Sequence, residues 1–134
     1  MNKNQKILAW LNEQLTNYKS YLDTLVKKKD EGNTWSLWMK WNAEIIFETE
    51  EKISLVNEVL TSIKENGEQY AEHILINFTN SLRRELVYGM HIERCTSAAN
   101  HLYEAMKKEA MKDFISDCEN QEFIQEMPRT TPIN

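Results

Sequence analysis

The sequence contains few of the residues that form turns or end helices. Its 134 residues include 3 glycines and 2 prolines. Tight turns depend heavily on glycine and proline, so a β-rich fold would need more of both. Long stretches of the chain instead carry apolar residues at helical spacing. The composition therefore predicts an all-α fold in one domain, at a length that can bury a core without disulfides.

Cysteine and long apolar runs are also scarce. Cys95 and Cys118 form no Cys-x-x-Cys pair of the kind that binds zinc. No apolar run approaches the roughly 18 residues of a membrane span, and residues 1–15 lack the continuous apolar core of a signal peptide. We therefore expect a cytoplasmic protein that makes no membrane contact.

The first predicted helix covers residues 3 to 29. Its apolar residues recur in steps of three and four: Leu8, Leu11, Leu15, Tyr18, Leu22 and Leu25. Residues 30–33 favour a turn, with Gly32 available as the C-terminal cap of the helix. Because a connection this short joins helices that pack side by side, the sequence predicts an antiparallel helical hairpin.

The second predicted helix, from about residue 33 to residue 65, has the widest apolar surface. One row comprises Met39, Asn42, Ile46, Thr49, Ile53, Val56, Leu60 and Ile63. A neighbouring row comprises Trp38, Trp41, Ile45, Leu55 and Val59. Together the rows exceed the width of a coiled-coil seam, so this helix needs neighbours on two sides. Asn66 and Gly67 are expected to end it.

Two further helices are predicted, over about 68–88 and 90–118. Gly89 either marks a break between them or lies inside one straight helix about 75 Å long, which would require a partner subunit. The last residues include Pro128 and Pro132, which disfavour a helix. The sequence thus predicts an antiparallel bundle of about four helices over residues 1–118, and an extended or mobile C-terminal tail over residues 119–134.

Charge is distributed unevenly along the chain. Residues 1–29 carry a net charge of +4 and residues 30–75 a net charge of −7, within a chain total of −5. A basic first helix packed against an acidic second helix would neutralise both. Lys27, Lys28 and Lys29 leave nucleic-acid binding as an alternative, although cations at a helix C-terminus also stabilise the helix. We expect no nucleic-acid partner.

Residues that could carry catalysis are few. The histidines and acids form no Glu-x-x-His pair of the kind used by metal sites in helical bundles. The sequence also has no phosphate-binding glycine loop and no nucleophile motif. We therefore predict no catalytic residues, no metal and no cofactor.

One alternative is an acidic set on the second helix: Glu44, Glu48 and Glu51. Glu48-x-x-Glu51 and Glu65-x-x-Glu68 resemble the paired acids with which all-α nucleoside triphosphate pyrophosphohydrolases of the MazG type hold magnesium. That resemblance implies a magnesium-dependent nucleotide hydrolase. The second pair spans the predicted helix end and has Glu where the family has Asp. Acids opposite an apolar row are also typical of a solvated helix face, which is the interpretation we prefer.

The aromatic residues indicate a different function. Trp38, Trp41 and Phe47 lie in the first half of the second helix, and Phe47 falls on its polar side. Tryptophan is enriched where binding energy concentrates in interfaces. We therefore predict a small acidic protein–protein interaction module that acts as a homo-oligomer, with these three residues as its partner or subunit interface. Lysine outnumbers arginine twelve to four, which favours a bacterial or phage source. We expect the protein to be regulatory or inhibitory.

Overall fold

A computed structural model describes residues 1–29, 35–88 and 98–121, and gives the backbone only at residues 29, 35–38, 40, 41, 88 and 98–100. Its helices are α1 (Lys3–Lys29), α2 (Trp35–Asn66), α3 (Ala71–Tyr88) and α4 (Ala98–Glu119), and a 3₁₀ turn, Glu68–Tyr70, joins α2 to α3. These ranges contain no strand, which confirms the predicted all-α bundle. None of the four helices is long and apolar enough to cross a membrane.

α1 and α2 form the predicted antiparallel hairpin. Lys52 of α2 lies beside Tyr18 of α1, with the ammonium nitrogen 5.7 Å from the ring centroid. Further along α1, Leu25 packs against Ile46. The contacts therefore move toward the start of α2 as α1 approaches its end. The predicted turn at residues 30–33 lies outside the described ranges.

Gly67 ends α2 where the sequence predicted. Its φ of 111° lies in a region that residues with a Cβ rarely adopt. Its N–H donates to the Ile63 carbonyl at 2.8 Å, and its own carbonyl accepts a hydrogen bond from the Tyr70 N–H at 3.1 Å. The chain thereby passes from α2 into α3 within a few residues.

The main core lies where the four helices meet. Its buried apolar residues are Ile7, Trp10 and Leu11 of α1, Leu55, Val56, Val59 and Ile63 of α2, Ala71, Leu75, Leu82 and Leu86 of α3, and Ala110, Met111, Phe114, Ile115 and Cys118 of α4. Both apolar rows of α2 contribute to it. This confirms that α2 has neighbours on two sides.

α3 and α4 are separate helices that pack together. Phe78 of α3 meets Phe114 of α4 edge to face, with ring centroids 5.8 Å apart. In one straight helix these residues would be about 54 Å apart, at ~1.5 Å per residue. The alternative of a single rod through Gly89 is therefore wrong. α3 ends at Tyr88, and residues 89–97 lie outside the described ranges.

A second, smaller cluster lies further along the hairpin. Leu25 and Ile46 are buried there, and Leu22 and Met39 pack against them. All four residues belong to α1 or α2. We call this part of the hairpin, residues 21–29 and 35–46, the hairpin tip. At the other end of the sequence, α4 ends at Glu119, next to the predicted start of the tail, whose residues 122–134 lie outside the described ranges.

Candidate functional site

The hairpin tip leaves part of the core-facing side of α2 uncovered. Ile45 and Ile63 are eighteen residues, or five full turns, apart and therefore occupy the same face of the helix. Ile63 is 3% exposed, whereas Ile45 is 38% exposed. The same face is thus covered in the main core and open to solvent at the tip.

Two of the predicted interface residues belong to this face by register. Trp41 and Trp38 precede Ile45 by four and seven residues in α2, a spacing that keeps residues on one side of a helix. Their side chains are not among those that the structure describes. The helical backbone is therefore what places them at the tip.

α1 adds two exposed apolar residues at the tip. Tyr21 is 47% exposed and Val26 is 48% exposed, on either side of the buried Leu25. With Ile45, which precedes Ile46, they are close in sequence to the two buried residues of the small Leu25–Ile46 cluster. Apolar side chains that are exposed together on one part of a protein indicate an interaction site. We call Tyr21, Val26 and Ile45 the tip surface.

Phe47 is half-buried, although the sequence indicated an exposed aromatic residue. Its ring meets the ring of Tyr103 in α4 edge to face, with centroids 6.1 Å apart and planes at 76°. The Tyr103 hydroxyl also lies 3.5 Å from Oε2 of Glu51, one turn after Phe47. At two residues from Ile45, Phe47 points to the opposite side of α2. It is therefore part of the contact between α2 and α4.

A group of polar side chains lies where α1, α2 and α4 meet. The ammonium nitrogen of Lys52 is 3.2 Å from Oε1 of Glu48 and 3.3 Å from Oδ2 of Asp113. The same ammonium group lies over the ring of Tyr18, within the range of a cation–π interaction. Asp117 faces both Tyr18 and Lys52. We call these five residues the Lys52 cluster.

Glu48 and Asp113 also face each other within hydrogen-bonding range. The hydrogen bond with Asp113, followed by burial, raises the pKa of Glu48. Burial favours a higher pKa for Asp113, but its hydrogen bonds with Glu48 and Lys52 outweigh burial and lower that pKa. The two carboxyl groups therefore interact most favourably when one of them holds a proton.

Asp117 and Tyr18 complete the cluster on its α1 side. Burial, reinforced by the charge of Asp113, raises the pKa of Asp117 against the opposing effects of Lys52 and the Tyr18 hydrogen bond. Burial and the charge of Asp117 raise the pKa of Tyr18. The phenol therefore stays protonated and donates to Asp117. The cluster as a whole places three carboxyl groups beside one ammonium group.

The acidic set that resembles a magnesium site does not converge. Glu44 is exposed, Glu48 belongs to the Lys52 cluster, and Glu51 lies against α4, where burial raises its pKa. Glu65 and Glu68 are exposed on either side of the break between α2 and the 3₁₀ turn. Within the described ranges, no group of three or more His, Cys, Asp or Glu side chains could hold a metal ion.

Other candidate residues lie on different parts of the molecule. Lys27 and Lys28 are exposed at the end of α1. His73 is exposed on α3, and its ring nitrogen lies 3.0 Å from the side-chain nitrogen of Asn77. Cys118 is fully buried in the main core, and burial raises the pKa of its thiol. Burial and a raised pKa are typical of a cysteine that packs in a core.

The sequence pattern found Glu48 but missed the rest of the Lys52 cluster. One signal was present, because Lys52 lies seven residues after Ile45 and seven before Val59, on the apolar face of α2. A charged residue on such a face needs a partner. Its partners are Glu48, one turn earlier in α2, and Asp113 in α4. No local pattern links Lys52 to Asp113, because the two residues are so far apart in the chain.

Comparison with known protein families, with curated proteins and with solved structures finds no match for this chain. The function is therefore inferred from the contacts of the chain's own residues. Two features stand out: the tip surface, which is apolar and open, and the Lys52 cluster, which is polar and half-buried.

Proposed function

We propose that this protein is a small protein–protein interaction module that acts as a homo-oligomer, with the hairpin tip as its contact surface. The contrast between Ile45 and Ile63 on one face of α2 carries the proposal. Complete burial of an exposed aliphatic side chain contributes about 1.5–3 kcal/mol, and Ile45, which is 38% exposed, would gain a part of this. A second copy of the chain carries the same surface, so a two-fold contact between two tips would cover both.

Each residue of the tip has a specific role in this proposal. Ile45 is the centre of the contact, and Tyr21 and Val26 extend it onto α1. Trp38 and Trp41 lie on the same face of α2 by register, and tryptophan is prominent among residues that dominate binding energy. Phe47, on the other side of α2, holds α4 in place and does not touch the partner.

The charges around the tip also suit contact between copies. Lys27 and Lys28 are exposed on α1, and Glu44 is exposed on α2. Both signs of charge are therefore present at the rim of the apolar surface. Ion pairs between copies would fix their orientation more than they would add affinity.

The two alternative functions stay predictions from the sequence. A magnesium-dependent hydrolase would use Glu44, Glu48 and Glu51, which lie in three different environments. Nucleic-acid binding would use the lysines that end α1. A regulatory or inhibitory role in a bacterium or phage, and the cytoplasmic location, likewise stay predictions. No contact within the described structure favours one of these alternatives over the proposed contact surface.

Light scattering after size exclusion tests the proposal. The wild-type mass should be a multiple of the 15.9 kDa of one chain. Ile45→Ser should reduce it to 15.9 kDa, with unchanged circular dichroism because Ile45 is partly exposed in the single chain. Val87→Ser is the matched control, since Val87 is 67% exposed on α3 and lies outside the tip surface.

Two results would contradict the proposal. A wild-type mass of 15.9 kDa at every concentration would show that the chain does not self-associate. Equal oligomer masses for the wild type, Ile45→Ser and Trp41→Ala would show that copies meet somewhere other than the hairpin tip.

A further inference from the structure

The charges of the Lys52 cluster are unbalanced in a way that the proposed contact surface does not explain. Glu48, Asp113 and Asp117 place three carboxyl groups around the single ammonium group of Lys52. The Lys52 and Glu48 side chains are 19% and 25% exposed, and the Asp113 side chain is 47% exposed. Carboxylates this close together cannot all be ionised without a cost in free energy.

The groups that face one another come from three helices. α1 contributes Tyr18, α2 contributes Glu48 and Lys52, and α4 contributes Asp113 and Asp117. The pair of Lys52 and Glu48 lies within α2. The contact between Lys52 and Tyr18 joins α2 to α1. The interactions of Asp113 and Asp117 connect α4 to the hairpin, so these two aspartates link α4 electrostatically to both α1 and α2.

We propose that pH controls how tightly α4 packs against the α1–α2 hairpin, through a proton shared by Glu48 and Asp113. With the proton present, one of the two carboxyl groups donates a hydrogen bond to the other, and Lys52, which contacts both, neutralises the one charge of the pair. When the proton leaves, two carboxylates face each other between α2 and α4. Lys52 neutralises one of them, and the nearby Asp117 adds further negative charge. α4 then packs less tightly.

The direction of the effect follows from the two carboxyl groups. The pKa of Glu48 is raised in the folded protein. Its contribution to folding stability is therefore fully present below the pKa of the unfolded chain and is lost as pH rises through the pKa of the folded protein. The pKa of Asp113 is lowered, so its contribution is lost only as pH falls through that lower value. The contact of α4 is therefore tightest at mildly acidic pH.

Hydrogen exchange of the full-length protein tests this inference. Protection of the α4 amides, corrected for the intrinsic effect of pH on exchange, should fall between mildly acidic and mildly alkaline pH. Protection of α3 is the internal reference. Glu48→Gln should reduce this pH response, because the amide keeps a donor at this position and Asp117 still titrates.

Glu50→Gln is the matched control, because it removes an exposed charge from the same helix and should keep the wild-type pH response. Asp113→Asn is a second variant in case Glu48→Gln folds poorly, and it should also reduce the response. The inference is wrong if α4 protection in the wild type does not change with pH relative to α3. It is equally wrong if both cluster variants keep the wild-type response.

Discussion

Asn4, near the start of α1, caps α3 through Glu72. Its side-chain oxygen accepts a hydrogen bond of 3.0 Å from the Glu72 backbone N–H, across 68 positions of sequence. Its amide nitrogen donates to the Gln69 carbonyl at 2.9 Å, and Lys3 adds an ion pair with Glu72 at 3.1 Å. α3 starts at Ala71, which has no side-chain acceptor, so the cap comes from a different helix.

Removal of this cap should destabilise the bundle. Asn4→Ala should lower the free energy of unfolding by about 1 kcal/mol, the usual effect of losing a capping side chain. Urea denaturation followed by circular dichroism measures this. Asn12→Ala is the control, because the Asn12 amide bonds only the Leu8 carbonyl within α1 in the described structure. Equal losses in the two variants would show that the contact between helices adds nothing.

Gly67 should tolerate no side chain. Its φ of 111° is unfavourable for any residue with a Cβ, and an added Cβ would lie 2.6 Å from Oε1 of Gln69. Gly67→Ala should therefore lower the free energy of unfolding by about 1–3 kcal/mol. The Gln69 side chain can move, so the double variant Gly67→Ala with Gln69→Ala should recover little of the loss. Full recovery would mean that the contact with Gln69, and not the backbone conformation, causes the loss in the free energy of unfolding.

Asp117 should make the protein less stable as pH rises. Its pKa is raised by burial, so the folded protein holds this proton more tightly than the unfolded chain does. The associated stability is present below the unfolded pKa and is lost as pH rises through the folded pKa. Asp117→Asn should therefore raise the urea midpoint at neutral pH and flatten its fall from mildly acidic pH. Asp23→Asn changes an exposed residue on α1 and should keep the wild-type dependence of the urea midpoint on pH. The prediction is refuted if the wild type, Asp117→Asn and Asp23→Asn all show the same dependence.

Phe47 and Tyr103 should be energetically coupled within one chain. Edge-to-face pairs contribute about 0.5–1.5 kcal/mol beyond their buried area. A double-mutant cycle with Phe47→Leu and Tyr103→Leu measures this coupling in the free energy of unfolding. Phe47→Leu should also leave the oligomer mass unchanged, unlike Ile45→Ser. Loss of the oligomer without loss of stability would instead make Phe47 a partner contact, as the sequence suggested.

The sequence predicted the helices well because helix formation leaves a local pattern. The hairpin of α1 and α2 was readable from apolar spacing and one short connection. The end of α2 was readable from Gly67, whose backbone conformation needs no information from the rest of the chain. The sequence also left one helix or two as alternatives around Gly89, and the contact between Phe78 and Phe114 decided this question.

The candidate sites were harder to predict, because periodicity gives the direction of a face and not what covers it. Ile45 and Ile63 are equivalent by register, and only the packing of the other helices makes one exposed and one buried. The sequence indicated that Phe47 is exposed for the same reason, because no residue near it in the chain predicts its contact with Tyr103.

The sequence by itself determined the fold class, the extent of the hairpin and the helix end at Gly67, because short-range spacing and backbone preference fix these features. Tertiary structure alone decided that Lys52 would meet Asp113 and that α1 would cap α3. Such contacts join residues far apart in the chain, and their free energy depends on distances and burial that exist only after the helices have packed.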